Sequence, residues 1–194
     1  MIRVLLLLVC VLVVGCGGAA TSPSPSPVRS VAPSAAPAVD ARDCAPIPAG
    51  VTVKTATMEL AKGGVVQLAL RPDKAPNTVA TFITKLNAGF YNGLAFHRVV
   101  ADFVVQGGDP KGDGTGGGNQ PTELNDLPFC KGSLGIARGP DIKVSNDSQW
   151  FVCTGTCRFL DAMYTNFGQV TSGMDVVTGV RQGDVMRRVT IAER

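Results

Sequence analysis

The chain has 194 residues, 45% of them hydrophobic and 17% charged, with a formal net charge of +3. That length suits one globular domain with a tail and excludes two full domains, and the apolar content excludes a wholly disordered chain. No run of Lys and Arg speaks for nucleic acid, the single histidine excludes a multi-His metal site, and 23 glycines favour tightly turned β structure over a helical bundle.

At the N-terminus Arg3 precedes eleven apolar residues, Val4 to Val14. This run is too short to span a bilayer as a helix but fits the core of a secretory signal. It ends in Leu12-Val13-Val14-Gly15-Cys16-Gly17-Gly18, which resembles a bacterial lipobox, a small residue standing directly before a cysteine. The resemblance implies cleavage after residue 15 and acylation of Cys16; an ordinary signal with a chance cysteine is the alternative. Several acyl chains on one residue anchor stably where one does not. Residues 19–39 are almost entirely Ala, Ser, Thr and Pro, have little to bury and are expected to stay extended. The expected organisation is a signal at 1–15, a tether at 16–50 and a folded domain at 51–194.

Four cysteines remain, Cys44, Cys130, Cys153 and Cys157. An even number permits disulfides outside the cytoplasm, with three connectivities. Cys153 and Cys157 can be bridged only if Thr154-Gly155-Thr156 turns; Cys44 would then pair with Cys130. The C-x-x-x-C spacing differs from the C-x-x-C of thioredoxin-like sites, so a redox role ranks low.

Alternation over Val53 to Met58, a turn at Gly63-Gly64 and the run Val65 to Leu70 predict two strands. Pro76 opens a helix that carries Val79, Phe82, Ile83 and Leu86 on one face, with Gly89 closing it. Phe96 to Gln106 reads as strand, interrupted near Ala101-Asp102. Residues 107–118 hold seven glycines and form a long loop. Short strands are expected at Leu134 to Ala137, Gln149 to Thr154 and Val189 to Ala192, and a second helix after Ser172 that buries Met174, Val177 and Val180. Short strands with two separated helices suggest a barrel with helices over its ends.

The run Phe96-His97-Arg98-Val99-Val100, then Phe103-Val104-Val105-Gln106-Gly107-Gly108-Asp109-Pro110, is followed by Gly114-Thr115-Gly116-Gly117, Ser148-Gln149-Trp150-Phe151-Val152, Phe159-Leu160-Asp161 and Phe167-Gly168. This order and spacing resemble the cyclophilin family of peptidyl-prolyl cis-trans isomerases, over about Thr55 to Ala192. The resemblance implies a mainly β fold, a closed eight-stranded antiparallel barrel capped by two α-helices, with its site on the outside. It implies Arg98 as the catalytic residue, an apolar slot for proline from Phe103, Val104, Phe151 and Leu160, and a grip on the peptide backbone by Gln106 and Gln149. Ala137 and Arg138 open a segment whose backbone binds substrate, and Phe159 and Tyr164 stand at the remaining site positions. Strand parity sets Gln149 and Phe151 on one face, Trp150 and Val152 on the other. The same parity turns His97 away from Arg98 and gives it a structural role.

Phe159 stands where many members have a Trp that hydrogen-bonds cyclosporin; Phe has no donor, so weak cyclosporin binding is expected. Val104 replaces a more frequent Met, Trp150 a usual Phe, and Arg138 to Asp147 is longer than the family pattern. The leading reading is a lipid-anchored, extracytoplasmic prolyl isomerase acting on proline-containing exported proteins. It would sit on the bacterial cell membrane as a monomer, with no metal, cofactor or nucleic acid. A non-catalytic module that holds proline segments comes second, and a thiol–disulfide protein using Cys153 and Cys157 third.

Overall fold

The computed structural model describes residues 43–192. The expected signal, the lipidated Cys16 and most of the tether lie outside the described residues. The elements run β1 (Lys54–Leu60), β2 (Val65–Leu70), α1 (Pro76–Asn87), β3 (Arg98–Val100), β4 (Val104–Gly107) and β5 (Asn119–Pro121). They continue with β6 (Ser133–Arg138), β7 (Val144–Cys153), β8 (Asn166–Ser172), α2 (Met174–Thr178) and β9 (Met186–Ile191).

β1 and β2 form a hairpin in register from Lys54 with Leu70 to Glu59 with Val65. Gly63 and Gly64 close it at φ +92° and +101°, a conformation that strains any residue with a Cβ. On α1 the expected face is the buried one: Val79, Phe82 and Leu86 are at most 4% exposed. No side chain of its own caps this helix. Instead Glu123 reaches in from a distant loop and accepts the Asn77 and Thr78 N–H groups at 3.0 and 2.7 Å. A carboxylate there satisfies two orphan donors and matches the helix dipole. The second helix is a short one of five residues; Val177 within it and Val180 just after it are buried as expected, while Met174 is only partly covered.

All the ladders are antiparallel, and the sheet order is β3-β4-β7-β6-β8-β2-β1-β9, with β5 added beside β7. The fold is mainly β, a curled antiparallel sheet with two helices. It departs from the expected closed eight-stranded barrel, because nine strands lie among the described residues and no ladder joins the end strands β3 and β9. The ends approach through the segments just before them. Ala95 bridges Val185, and Phe96 N and Met186 N donate to Asp184 O and Leu94 O, each at 2.9 Å.

β8 has no counterpart in the sequence expectation, and β7 starts five residues earlier than expected. β7 therefore takes the last four residues of the divergent 138–147 stretch and β6 its first, which leaves only 139–143 as a connection. The body also begins earlier than residue 51. Cys44 is disulfide-bonded to Cys130, with Cα atoms 5.1 Å apart, and Cys44 N donates to Lys131 O.

The expected Cys153–Cys157 bridge is corrected: both are free, fully buried thiols. Their neighbours fix them separately. Cys153 pairs with Val104 across the ladder, while Cys157 N donates to Phe129 O at 3.2 Å and the Cys157 thiol to Phe103 O at 3.4 Å. The Cys157 thiol beside it, and then burial, push the Cys153 thiol up. The two thiols lie beside each other out of solvent, and that burial removes them as exposed reactive thiols.

Two apolar clusters result. The larger fills the curled sheet and includes Phe82, Tyr91, Phe96, Trp150, Val152 and Phe167. The smaller lies on the opposite face of β7 and holds Val104, Phe129, Phe151, Cys153, Cys157 and Leu160, with Phe103 and Tyr164 packed against it.

Candidate active site

Alternation along β4 and β7 builds the site. Val105 and Trp150 turn into the main core, so Val104 and Phe151 turn outward into the smaller cluster. Facing strands align Arg98 with Gln106, and Gln106 with Phe151. The turn between β3 and β4 passes through Asp102 at φ 54°, which lets Phe103 return beside Arg98.

The result is an open cavity of about 210 Å³ lined by Arg98, Phe103, Val104, Gln106, Ala137, Arg138, Phe151, Leu160 and Tyr164. Nine of the eleven residues expected at the site therefore share one slot. Its floor is apolar: Val104, Phe151 and Leu160 are at most 6% exposed. Phe151 is braced from behind by Phe129, their rings stacked at 5.9 Å, and edge-on by Tyr164 at 6.0 Å.

Gly135 on β6 lies under this ring pair. A Cβ there would come within 2.1 Å of Phe151 Cζ, so only glycine lets the ring sit so low. Arg138 forms a fixed wall. Its guanidinium lies 4.4 Å from the Tyr164 ring centroid and donates to Met163 O at 2.8 Å and Gly139 O at 2.9 Å.

Arg98 is exposed at the mouth of the slot, its guanidinium carbon 5.5 Å from the Phe103 ring centroid. Its Nη1 donates to Gln106 Oε1 at 3.4 Å, and Gln106 Nε2 donates to Gln149 Oε1 at 3.1 Å.

Two expected site residues lie elsewhere. Gln149 is one layer behind Gln106, 4% exposed, with its amide nitrogen spent on Gly114 O and Gly116 O. Its two N–H groups are spent on the loop, its oxygen accepts from Gln106, and it lines a second cavity beside the slot. Phe159, on the short 3-10 turn Arg158–Leu160, is 68% exposed and leans on Phe103 with ring centroids 5.3 Å apart. It stands at the rim, outside the lining.

A neighbouring cavity of about 440 Å³ shares Gln106, Ala137 and Arg138 with the slot. Gln149 lines it with Asn119, Val144, Ser145 and Asn146; the last three fall in the longer 138–147 stretch that breaks the motif, and Asn119 belongs to no motif. Asp109 stands near the end of the Phe103–Pro110 run. It is 1% exposed and accepts the Lys111 and Gly114 N–H groups, the bonding of an Asx-type turn in a Gly-rich loop. Among the described residues no group of His, Cys, Asp and Glu is arranged to hold a metal ion.

Residues 52–193 match the family described as cyclophilin type peptidyl-prolyl cis-trans isomerase. The chain is 39% identical over 143 residues to peptidyl-prolyl cis-trans isomerase B of Bacillus subtilis, covering 72% of this chain and 99% of that relative. It is 39% identical over 144 residues to a peptidyl-prolyl cis-trans isomerase of Helicobacter pylori, covering 71% of this chain and 86% of the relative. In fold it resembles a Cryptosporidium parvum cyclophilin crystallised in the presence of the dipeptide Ala-Pro. That match has a TM-score of 0.67 at 21% identity and covers 72% of this chain and 99% of the other. With its sheet, its outward slot and these relatives, the chain belongs to the cyclophilin-type peptidyl-prolyl cis-trans isomerase family.

Proposed function

We propose that this peptidyl-prolyl cis-trans isomerase works through Arg98, with the proline ring seated in the slot formed by Phe103, Val104, Phe151 and Leu160. Rotating an X-Pro bond means losing amide resonance, a barrier of about 18–20 kcal/mol. No nucleophile, acid or base is needed. As the bond twists, the imide nitrogen regains a lone pair and becomes an acceptor. A guanidinium donor fixed near that nitrogen binds the twisted state more strongly than the planar ones, and such differential binding is catalysis. The observation that carries the reading is Arg98 at the mouth of an apolar slot, hydrogen-bonded to Gln106 and beside the Phe103 ring. The apolar floor favours the ring, and the open mouth lets the preceding residue swing.

The test is exchange NMR on a proline peptide with wild type and Arg98→Ala. Wild type should accelerate exchange, and the variant should lose about a hundredfold in kcat, equivalent to about 2.7 kcal/mol. Peptide binding without accelerated exchange in wild type would make the chain a holding module instead.

The finer parts of the reading rest on sequence. Residues 1–15 would direct export, Cys16 would carry the lipid, and the substrates would be exported proteins. The Cys44–Cys130 disulfide supports an oxidising compartment. Mass spectrometry of residue 16 from membrane fractions tests this, and an unmodified thiol there would sink it. The exposed, donor-free Phe159 supports weak cyclosporin binding.

A further inference from the structure

The amide of Gln149 has only one workable orientation. Its Nε2 donates to two carbonyl oxygens, Gly114 O at 3.0 Å and Gly116 O at 2.8 Å. Turned over, Oε1 would face both oxygens and lose both bonds, so Oε1 points the other way, to Gln106 Nε2. Gln106 is fixed in turn. Its nitrogen is committed to Gln149, so its Oε1 is the end presented to Arg98. The polarity of the glycine-rich loop thus passes through two amides to a guanidinium at the surface. An exposed arginine on a long stem gains orientation from such a bond, and orientation is what this reaction asks of it.

Asp109 holds the carbonyls in place. Its buried carboxylate accepts Lys111 N at 2.9 Å and Gly114 N, and the loop closes so tightly on it that a Cβ at Gly116 would come within 2.0 Å of Oδ1. Burial alone would push this carboxyl up. The Lys111 and Gly114 N–H groups outweigh that and hold it below the usual carboxylate range, so it stays charged. From the other side, Asn146 Nδ2 pins Gly116 O at 3.0 Å.

We propose that Asp109 is a positioning residue for the isomerisation: it shapes the 110–116 loop so that the Gly114 and Gly116 carbonyls fix the amides of Gln149 and Gln106, and through them hold the Arg98 guanidinium over the slot. This rests on the reading of Arg98 as the catalytic group.

The test is a double-mutant cycle on the full chain, with kcat and KM read by exchange NMR on a proline peptide. Asp109→Asn keeps the shape but turns one acceptor into a donor facing a backbone N–H. In the wild-type background kcat should fall about tenfold, the scale of one hydrogen bond. KM should stay within about twofold, because the slot is untouched. In the Arg98→Ala background the same change should cost nothing further, and the Arg98 Nε–H resonance of the single variant should shift. A merely structural role predicts equal losses in both backgrounds. Equal losses, or an unchanged kcat in the single variant, would overturn the proposal. Unaltered turnover in Arg98→Ala would instead overturn the catalytic reading beneath it. If Asp109→Asn does not fold, Gln149→Glu sets an acceptor against the two carbonyls while leaving Asp109 intact. It should lose kcat only where Arg98 is present, and an unchanged kcat would again overturn the proposal.

Discussion

The two faces of β7 carry apolar clusters of opposite kinds. On the inner face Trp150 joins Phe82, Tyr91 and Phe167 in a set of rings whose centroids lie 5.0 to 6.4 Å apart, every one at most 1% exposed. On the outer face Phe151 is covered from behind by Phe129, Cys153 and Cys157, all fully buried, while Phe103 and Tyr164 in front are only partly covered. The inner cluster has no surface left to offer. The outer one is packed to the same standard at its back and left empty at its front, where a cavity of about 210 Å³ opens beside Arg98. The difference lies in where small and polar groups stand: two thiols and Gly135 fill the back without protruding, and Arg98 and Gln106 replace what would otherwise be a covering side chain. A proline ring supplies the missing apolar surface, and that surface is worth binding because it is desolvated only when occupied.

The comparison is broken most sharply from the inside. Phe82→Ala removes a ring that touches three other aromatics, and it should cost about 3–5 kcal/mol in denaturant unfolding. Turnover per folded molecule should not change, since no atom of the slot is lost. A matching fall in kcat would mean that the two faces are mechanically one.

Gly135→Ala comes next. The added methyl would lie 2.1 Å from Phe151 Cζ, 2.5 Å from its Cε2 and 2.8 Å from Phe129 Cε1. Overpacking of this kind costs about 1–3 kcal/mol. The Phe129 side is closed, so the Phe151 ring is driven toward the slot. KM for a proline peptide should rise severalfold while the stability loss stays below that of Phe82→Ala. An unchanged KM would show that the back of the slot gives way instead of its front, and the contrast between the faces would weaken.

The slot was legible in the sequence because its makers are large, chemically distinct and regularly spaced. Alternation at Gln149, Trp150, Phe151 and Val152 assigns the two faces without a structure. The hairpin of β1 and β2 and the helix α1 were legible for the same reason, clean periods bounded by Gly or Pro. β8 was not, because its first three residues, Asn166, Phe167 and Gly168, are all buried and give no alternation. The first half of β7 reads as polar loop; Ser145 and Asn146 form strand there because β5 and β6 supply partners across the chain. Spacing could not decide between a disulfide and two thiols at Cys153 and Cys157, since a C-x-x-x-C segment that turns brings the sulfurs side by side in either state. Asp109 was visible as a letter in a motif, but its work is done through backbone N–H groups that carry no sequence signature.

The smallest expected effect separates the two regions by pH. His97 is the chain's one histidine, and both of its ring nitrogens are buried without a hydrogen-bond partner among the described residues. Burial holds the imidazole below its ordinary value of 6.5; the carboxylates of Asp109 and Asp113 oppose this and Arg98 adds to it. In the unfolded chain the ring binds its proton at the ordinary value, so below about pH 6.5 the unfolded state takes up a proton that the folded state resists. The stabilisation is therefore complete above that pH and is lost as pH falls through the folded value. The scaffold behaves differently. A hydrogen bond from Arg71 holds Asp73 below its ordinary value, and one from Lys62 does the same for Asp184. These groups keep their full contribution above the unfolded carboxylate value and lose it only below about pH 4. Unfolding free energy should thus show a first, shallow decline below pH 6.5 that belongs to the site side, and a steeper one below pH 4 that belongs to the scaffold. His97→Gln should abolish the first and leave the second. An NMR titration reads the ring directly, and a His97 midpoint at or above 6.5 would remove the first decline and leave the two regions indistinguishable in acid.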